Sequence, residues 1–316
     1  MKNSSTSKSI INYATEFLDY LEIEKGLSTN TQENYSRYLS RFFNWLKEGK
    51  LDSLKPHSLN EDHIWEYRVY LSKTKLSKAS QNAYLIALRS MLEFFENRKI
   101  KSLYSSKIKL AKKRGVQEIK TLSMKDLKKI LEIPSTRSKI GLRDRAIMET
   151  FFSTGIRIAE LVSLNREQIK VSDSSDTLEI SITGKGNRVR PVYFSARSLK
   201  WLKKYINIRD DIDTALFINY KPGAEKSNNE RRLTIGSIQA IIKKYFKLAS
   251  ISTKVTPHTF RHTFATDLLN QGVDIRLVQE FLGHKSVSTT QVYTHITNKQ
   301  LKSTHKKLHS GNIMKN

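Results

Sequence analysis

Large apolar side chains recur three or four positions apart through most of the first hundred residues, and no other feature limits the fold as tightly. That spacing puts them on one face of a helix. In "SIINYATEFLDYLEIEKG" the stripe is Ile10, Tyr13, Phe17 and Leu21, and Gly26 closes the segment. "STNTQENYSRYLSRFFNWLKEGK" opens on cap-type residues and carries Tyr35, Leu39, Phe42 and Leu46 on one face. "SLNEDHIWEYRVYLSK" repeats the style, and "SKASQNAYLIALRSMLEFFENRK" contributes Tyr84, Leu88, Leu92 and Phe95. We read a small four-helix domain whose aromatics form its core rather than a surface for stacking on bases.

The periodicity is lost over residues 101–120, "KSLYSSKIKLAKKRGVQEIK", where positive charge rises. The expected division is therefore a helical domain over 1–105, a basic linker over 106–120 and a second domain over 121–316. The second domain begins with "TLSMKDLKKILE", in which Ser123 is a candidate cap with Asp126 three residues on. "LRDRAIMETFFSTG" reads as a more apolar helix stopped by Gly155. Then the period changes to two. Leu178, Ile180 and Ile182 alternate, "GKGN" turns the chain, and Val189–Phe194 returns as the second arm of a β-hairpin. Helices resume at "SARSLKWLKKYINIRD", at "TIGSIQAIIKKYFKLAS" and from residue 257 onward. The fold class is mainly α with a small β-hairpin, α+β.

Charge restricts the partner. The 316 residues hold 56 Lys and Arg against 30 Asp and Glu, a formal charge of +26. Through residue 120 there are 22 basic and 13 acidic residues, and beyond it 34 and 17, so both parts are basic. A polyanion touching both parts explains this, because each neutralised phosphate releases counterions; a lysine-rich solubilising surface is the plainer alternative. There is no cysteine, hence no disulfide framework and no thiolate metal site. No apolar run approaches the ~20 residues of a membrane span, and the N-terminus lacks the apolar centre of a signal peptide. A cytoplasmic location without membrane partners is expected.

Chemistry concentrates in short segments. "TPHTFRHTFA" places Thr256 as a cap, Pro257 at the first helical position and His258 in the first turn, where unpaired N–H groups and the helix dipole favour an anion. Arg261 shares that face, so an imidazole and a guanidinium can converge on one phosphate-like group. His258 and His262 also have a spacing that zinc accepts, but Thr259 stands where a metalloprotease helix needs Glu, and no cysteine is near. A helix filled with structural His and Arg is the third alternative, and His262 fits it. In "STGIRIAEL", Arg157 follows the Gly155 stop and Glu160 lies three residues on, within reach to orient the guanidinium. In "EFLGHKSVSTTQVYTHI", Gly283 marks a helix end, His284 follows it, and Tyr293 lies nine residues further.

"TGIRIAEL", "TGKGNRVRPV", "HTFRHTFAT" and "LGHKSVSTTQVYTH" occur in an order and spacing that resemble the tyrosine recombinases, the phage-integrase and Xer family. The motifs fall within 154–295, and the resemblance in organisation extends over nearly the whole chain. It implies a helical, SAM-like core-binding domain followed by a DNA breaking-rejoining catalytic domain. The family's R–K–H–R–H–Y set falls on Arg157, Lys185, His258, Arg261, His284 and Tyr293, with the accessory acid at Glu160. Phe260 stands where leucine is commoner.

The implied reaction is phosphoryl transfer at a DNA phosphodiester. Tyr293 attacks, giving a 3′-phosphotyrosyl bond and a free 5′-hydroxyl, and a second strand's 5′-hydroxyl reverses the step. By resemblance, Arg157 and Arg261 hold the non-bridging oxygens, His258 assists the proton of Tyr293, His284 adds a hydrogen bond and Lys185 protonates the leaving oxygen. No cofactor and no metal is expected. The implied partners are double-stranded DNA with inverted half-sites and three further copies of the chain on paired sites; a second recombinase or a DNA translocase remains open. No extra N-terminal module is apparent, which favours an Xer-like enzyme for chromosome or plasmid dimer resolution. A mobile-element integrase of the same chemistry is the alternative, and a regulator that binds DNA without cleaving it the third. In the tail, Leu301, Thr304, His305 and Leu308 fall at helical spacing with little apolar area; the resemblance implies docking on a neighbouring subunit.

Overall fold

The structure is a computed structural model that describes residues 8–111, 120–170, 177–184, 189–221, 231–251 and 256–283. The chain divides into two compact units, Met1–Gly115 and Val116–Asn316.

Among the described residues, four α-helices build the first unit: α1 (Ala14–Ile23), preceded by a 3-10 turn over Ile10–Tyr13, α2 (Thr29–Glu48), α3 (Glu61–Lys73) and α4 (Lys78–Asn97). Local chemistry sets their starts. The Ser77 hydroxyl accepts the Ser80 N–H, and Asn60 and His63 exchange side-chain and backbone bonds at the head of α3. The stripes face inward: Ile10, Phe17, Leu21, Leu39, Phe42, Leu46, Leu88, Leu92 and Phe95 are buried. Phe42 meets Tyr67 edge-on at 4.9 Å between ring centres, and Phe17 meets Phe94 at 5.8 Å. Residues 106–111, within the stretch read as linker, pack on this unit. Ile108 is buried in its core, and Asn82 both donates to and accepts from the Ala111 backbone, at 2.8 and 3.0 Å.

The second unit contains α5 (Met124–Glu132), α6 (Lys139–Thr154), the short α7 (Ile158–Ser163), strands β1 (Thr177–Thr183) and β2 (Val189–Ser195), then α8 (Ala196–Asn207), α9 (Ile235–Leu248), α10 (Pro257–Asn270) and α11 (Ile275–Leu282). The Ser123 hydroxyl accepts from Asp126 N and donates to the Asp126 carboxylate, so the expected box closes through the hydroxyl. The strands pair antiparallel, from Thr177 opposite Ser195 to Thr183 opposite Val189. Ile180, Ile182, Val192 and Phe194 point to the core, as the alternation requires. The core-facing helix α6 lies against β2, α8 and α10. One buried segment was not expected: Ala215–Ile218 runs between two short backbone pairings, Leu216 N to Leu164 O at 2.9 Å and Leu233 N to Phe217 O at 3.0 Å. Arg209 caps the Ala215 and Leu216 carbonyls there. Among the described residues the protein is thus mainly helical with one two-stranded sheet, and no helix is long and apolar enough to cross a membrane.

Candidate active site

Two helix stops and two helix starts meet in the second unit. Helix α6 ends on Gly155, whose φ of +59° is the left-handed conformation that glycine adopts without Cβ strain. The chain turns at once into α7, with Arg157 at its N-cap. Helix α11 ends the same way on Gly283, at φ +60°. Neither glycine has room for a side chain. A Cβ on Gly155 would lie 2.4 Å from Phe264 Cδ1, and one on Gly283 would lie 2.8 Å from Arg190 Cδ.

Helix α10 brings the third component. Pro257 occupies its first position, and the Thr259 hydroxyl accepts the Thr256 N–H at 3.1 Å. The Thr263 hydroxyl donates to Thr259 O and accepts the buried Leu122 N–H at 2.9 Å, which fixes the helix against the start of the unit. Phe260 is fully buried between Phe151 and Phe246. With Phe260 anchored, the adjacent Arg261 is directed to the corner made by α6 and α11. It donates to Gly155 O at 2.7 Å and to Leu282 O.

Arg157 reaches the same place from α7. Its Nη1 donates to Glu160 Oε1 at 2.9 Å and its Nη2 to Gly283 O at 3.1 Å, while its backbone N–H donates to Glu160 Oε2 at 2.7 Å. The Arg157 side chain is 30 % exposed and that of Glu160 only 5 %. The acid therefore sits behind the guanidinium and leaves it open to solvent on one side. Burial pushes the Glu160 carboxyl up, but bonds donated by Arg190 and Arg157 outweigh it and hold the group at about 2. His258, on the first turn of α10, is held below the ordinary 6.5 of an imidazole by partial desolvation and then by the charges of Arg261 and Arg157.

The structure thus brings together Arg157, Glu160, His258 and Arg261 from the expected set. Lys185, His284 and Tyr293 lie outside the described residues, as does the tail from 284 to 316. Among the described residues, no group of three or more His, Asp or Glu could hold a metal ion. One further side chain lies in this cluster that the expected set does not contain. Arg190 on β2 places Nη1 and Nη2 on the two oxygens of Glu160, at 2.9 and 2.8 Å. Its signal was available: Arg190, Val192 and Phe194 alternate, so the arginine falls on the core face, where a charge must be paired.

Comparisons with known proteins bear on the family and the fold. The model of the phage integrase family matches residues 120–300, and that of the phage integrase N-terminal SAM-like domain matches residues 14–99. Tyrosine recombinase XerD of Lacticaseibacillus casei is 34% identical over 302 residues, spanning 93% of this chain and 97% of its own. Tyrosine recombinase XerC of Thermodesulfovibrio yellowstonii is 34% identical over 314 residues, spanning 94% and 96%. The fold is shared with the XerH site-specific recombinase, solved bound to palindromic difH substrate as a post-cleavage complex: the TM-score is 0.69 at 24% identity, over 96% of this chain and 90% of that one. On the matched length, the two domain models and these full-length relatives, the chain belongs to the phage integrase family of tyrosine recombinases.

Proposed function

We propose that this protein is an Xer-like site-specific recombinase that cleaves and rejoins double-stranded DNA through a 3′-phosphotyrosyl bond to Tyr293. The observation that carries the reading is the convergence of Arg157, Arg261 and His258 on one corner, with Glu160 holding the more exposed guanidinium from behind. Planar guanidinium forks match two oxygens of a phosphate and stay charged at any working pH. Fixed in place before DNA arrives, they stabilise charge that builds on the non-bridging oxygens of the transition state.

In this reading Tyr293 Oη attacks phosphorus and the bond to the 5′-oxygen breaks. The tyrosine proton passes toward His258, whose lowered pKa keeps the imidazole neutral and able to accept it near pH 7. The departing 5′-oxygen takes its proton from Lys185, and His284 donates a further hydrogen bond to the phosphate. The phosphodiester energy stays in the protein–DNA bond, so the reverse attack by a 5′-hydroxyl needs no energy source. The partner is duplex DNA with inverted half-sites. Four copies of the chain act on two paired sites, and the tail after Tyr293 docks on a neighbouring copy. The likeness to XerD and XerC over nearly the full length supports dimer resolution as the role.

The test keeps the charge and removes the fork. Arg157→Lys and Arg261→Lys should each slow cleavage of a nicked suicide duplex by about 10²-fold or more, as losses of oxyanion donors do. Duplex binding should stay near the parent's. Arg261→Lys also breaks bonds from a buried guanidinium to Gly155 O and Leu282 O and should lower the thermal midpoint, so cleavage is compared well below each variant's midpoint. Parent-like cleavage by both variants would remove the two-arginine reading.

A further inference from the structure

We infer that Arg190 is a positioning residue for strand cleavage: it locks Glu160 so that Arg157 has one orientation, and it ties that pair to the end of α11. The inference rests on the reading of Arg157 as a phosphate-binding group.

The geometry is complete on the carboxylate side. Glu160 Oε1 accepts from Arg157 Nη1 and Arg190 Nη1, both at 2.9 Å. Oε2 accepts from Arg157 N at 2.7 Å and Arg190 Nη2 at 2.8 Å. An ionised carboxylate offers about four acceptor directions, and all four are used. A buried carboxylate with Arg157 as its only partner could turn about its terminal bond and carry the guanidinium with it. The two parallel bonds from Arg190 remove that freedom. They also leave two guanidinium charges against one carboxylate, so the corner keeps a net positive charge for an incoming phosphate.

The same side chain reaches the other half of the site. Arg190 Nε donates to Phe281 O at 3.3 Å, and its stem fills the space beside Gly283 where a Cβ would have to go. Together Arg190, Arg261 and Arg157 donate to Phe281 O, Leu282 O and Gly283 O, carbonyls a helix end leaves without intrahelical partners. Helix α11 buries only Val278 and Leu282 fully, so these bonds matter to where it stops. His284 is the next residue in the chain. Arg190 therefore links the acid behind Arg157 to the segment that leads into a second member of the set. A surface ion pair is excluded as its role: the Arg190 side chain is 10 % exposed and its partner 5 %.

The experiment uses the full chain and a nicked suicide duplex bearing a site that the protein itself selects from a random-sequence pool. Arg190→Met removes the charge and the fork; Arg190→Lys keeps the charge. Val192→Ala, on the same strand, weakens the core without touching Glu160 and serves as the stability control. We expect Arg190→Met to slow cleavage about 10–10²-fold at saturating protein, the scale of a misplaced catalytic group, with duplex affinity within about threefold of the parent. Arg190→Lys should recover part of the rate, and Val192→Ala all of it at temperatures well below its midpoint. Because Arg190 acts through Arg157, adding Arg190→Met to Arg157→Lys should cost far less than it costs the parent. Parent-rate cleavage by Arg190→Met beside a crippled Arg157→Lys, or losses that simply multiply, would overturn the inference alone. Parent-rate cleavage by Arg157→Lys would overturn the underlying reading and the inference with it. Should Arg190→Met not fold, Arg190→Lys carries the same cycle.

Discussion

Replacing Gly155 by alanine tests the corner on which the site is built. Two penalties are expected. Alanine at φ +59° carries a left-handed strain of about 1–2 kcal/mol. Its Cβ would also sit 2.4 Å from Cδ1 and 2.9 Å from Cε1 of Phe264, and forcing atoms into a packed interior costs about 1–3 kcal/mol. Together these give about 2–5 kcal/mol, a midpoint lower by roughly 4–20 °C for a unit of this size. Function should suffer beyond stability, because Gly155 O accepts Arg261 Nη1 at 2.7 Å. A shift of that carbonyl moves the guanidinium, and misplacement by about 1 Å can cost 10²-fold in rate. The assay pairs a thermal melt with suicide-substrate cleavage well below the midpoint. Gly155→Asn separates the two terms, since asparagine tolerates the left-handed region but still meets Phe264. A Gly155→Ala protein that melts and cleaves like the parent would refute the argument that this corner is closed to a side chain.

Two further predictions concern protons. Glu160, at about 2 when folded against an ordinary 4.5, contributes stability that is fully present above pH 4.5 and lost as pH falls toward 2, about 3 kcal/mol in all; denaturant melts across that range should show a shallower pH slope for Glu160→Gln than for the parent, and equal slopes would contradict the clamp. If Lys185 is the acid for the leaving oxygen, Lys185→Ala should fail on ordinary DNA yet recover on a 5′-bridging phosphorothioate, whose sulfur leaves unprotonated; equal impairment on both substrates would make Lys185 a positioning group.

Much of this architecture is legible in the sequence because it rests on periodicity and local chemistry. The stripes of Phe17, Phe42 and Leu88 face inward as their spacing requires, and the hairpin follows from the alternation around Ile180 and Val192. Gly155 and Gly283 stop their helices as expected. What stayed hidden depends on partners distant in sequence. Arg261 and Gly155 are 106 residues apart, and Arg157 and Gly283 are 126 apart. Their acceptors are backbone carbonyls, which no side-chain pattern announces. Ala215–Ile218 is not legible in the sequence, because a buried run of four residues has neither a helical nor an alternating period. Arg190 was visible in principle, but a charged residue in a strand reads as solvent-facing until the face it shares with Val192 and Phe194 is followed.

The central claim is covalent catalysis by one tyrosine, and the most direct measurement locates the bond. The protein is incubated in EDTA with a nicked suicide duplex bearing its own selected site. The trapped adduct is digested with protease and nuclease, and the modified peptide is sequenced by mass spectrometry. A nucleotide joined through its 3′-phosphate to Tyr293, and no adduct from Tyr293→Phe although it binds the duplex, is the expected result. An adduct on another residue, adduct formation by Tyr293→Phe at the parent rate, or activity lost in EDTA and restored by zinc would contradict the account.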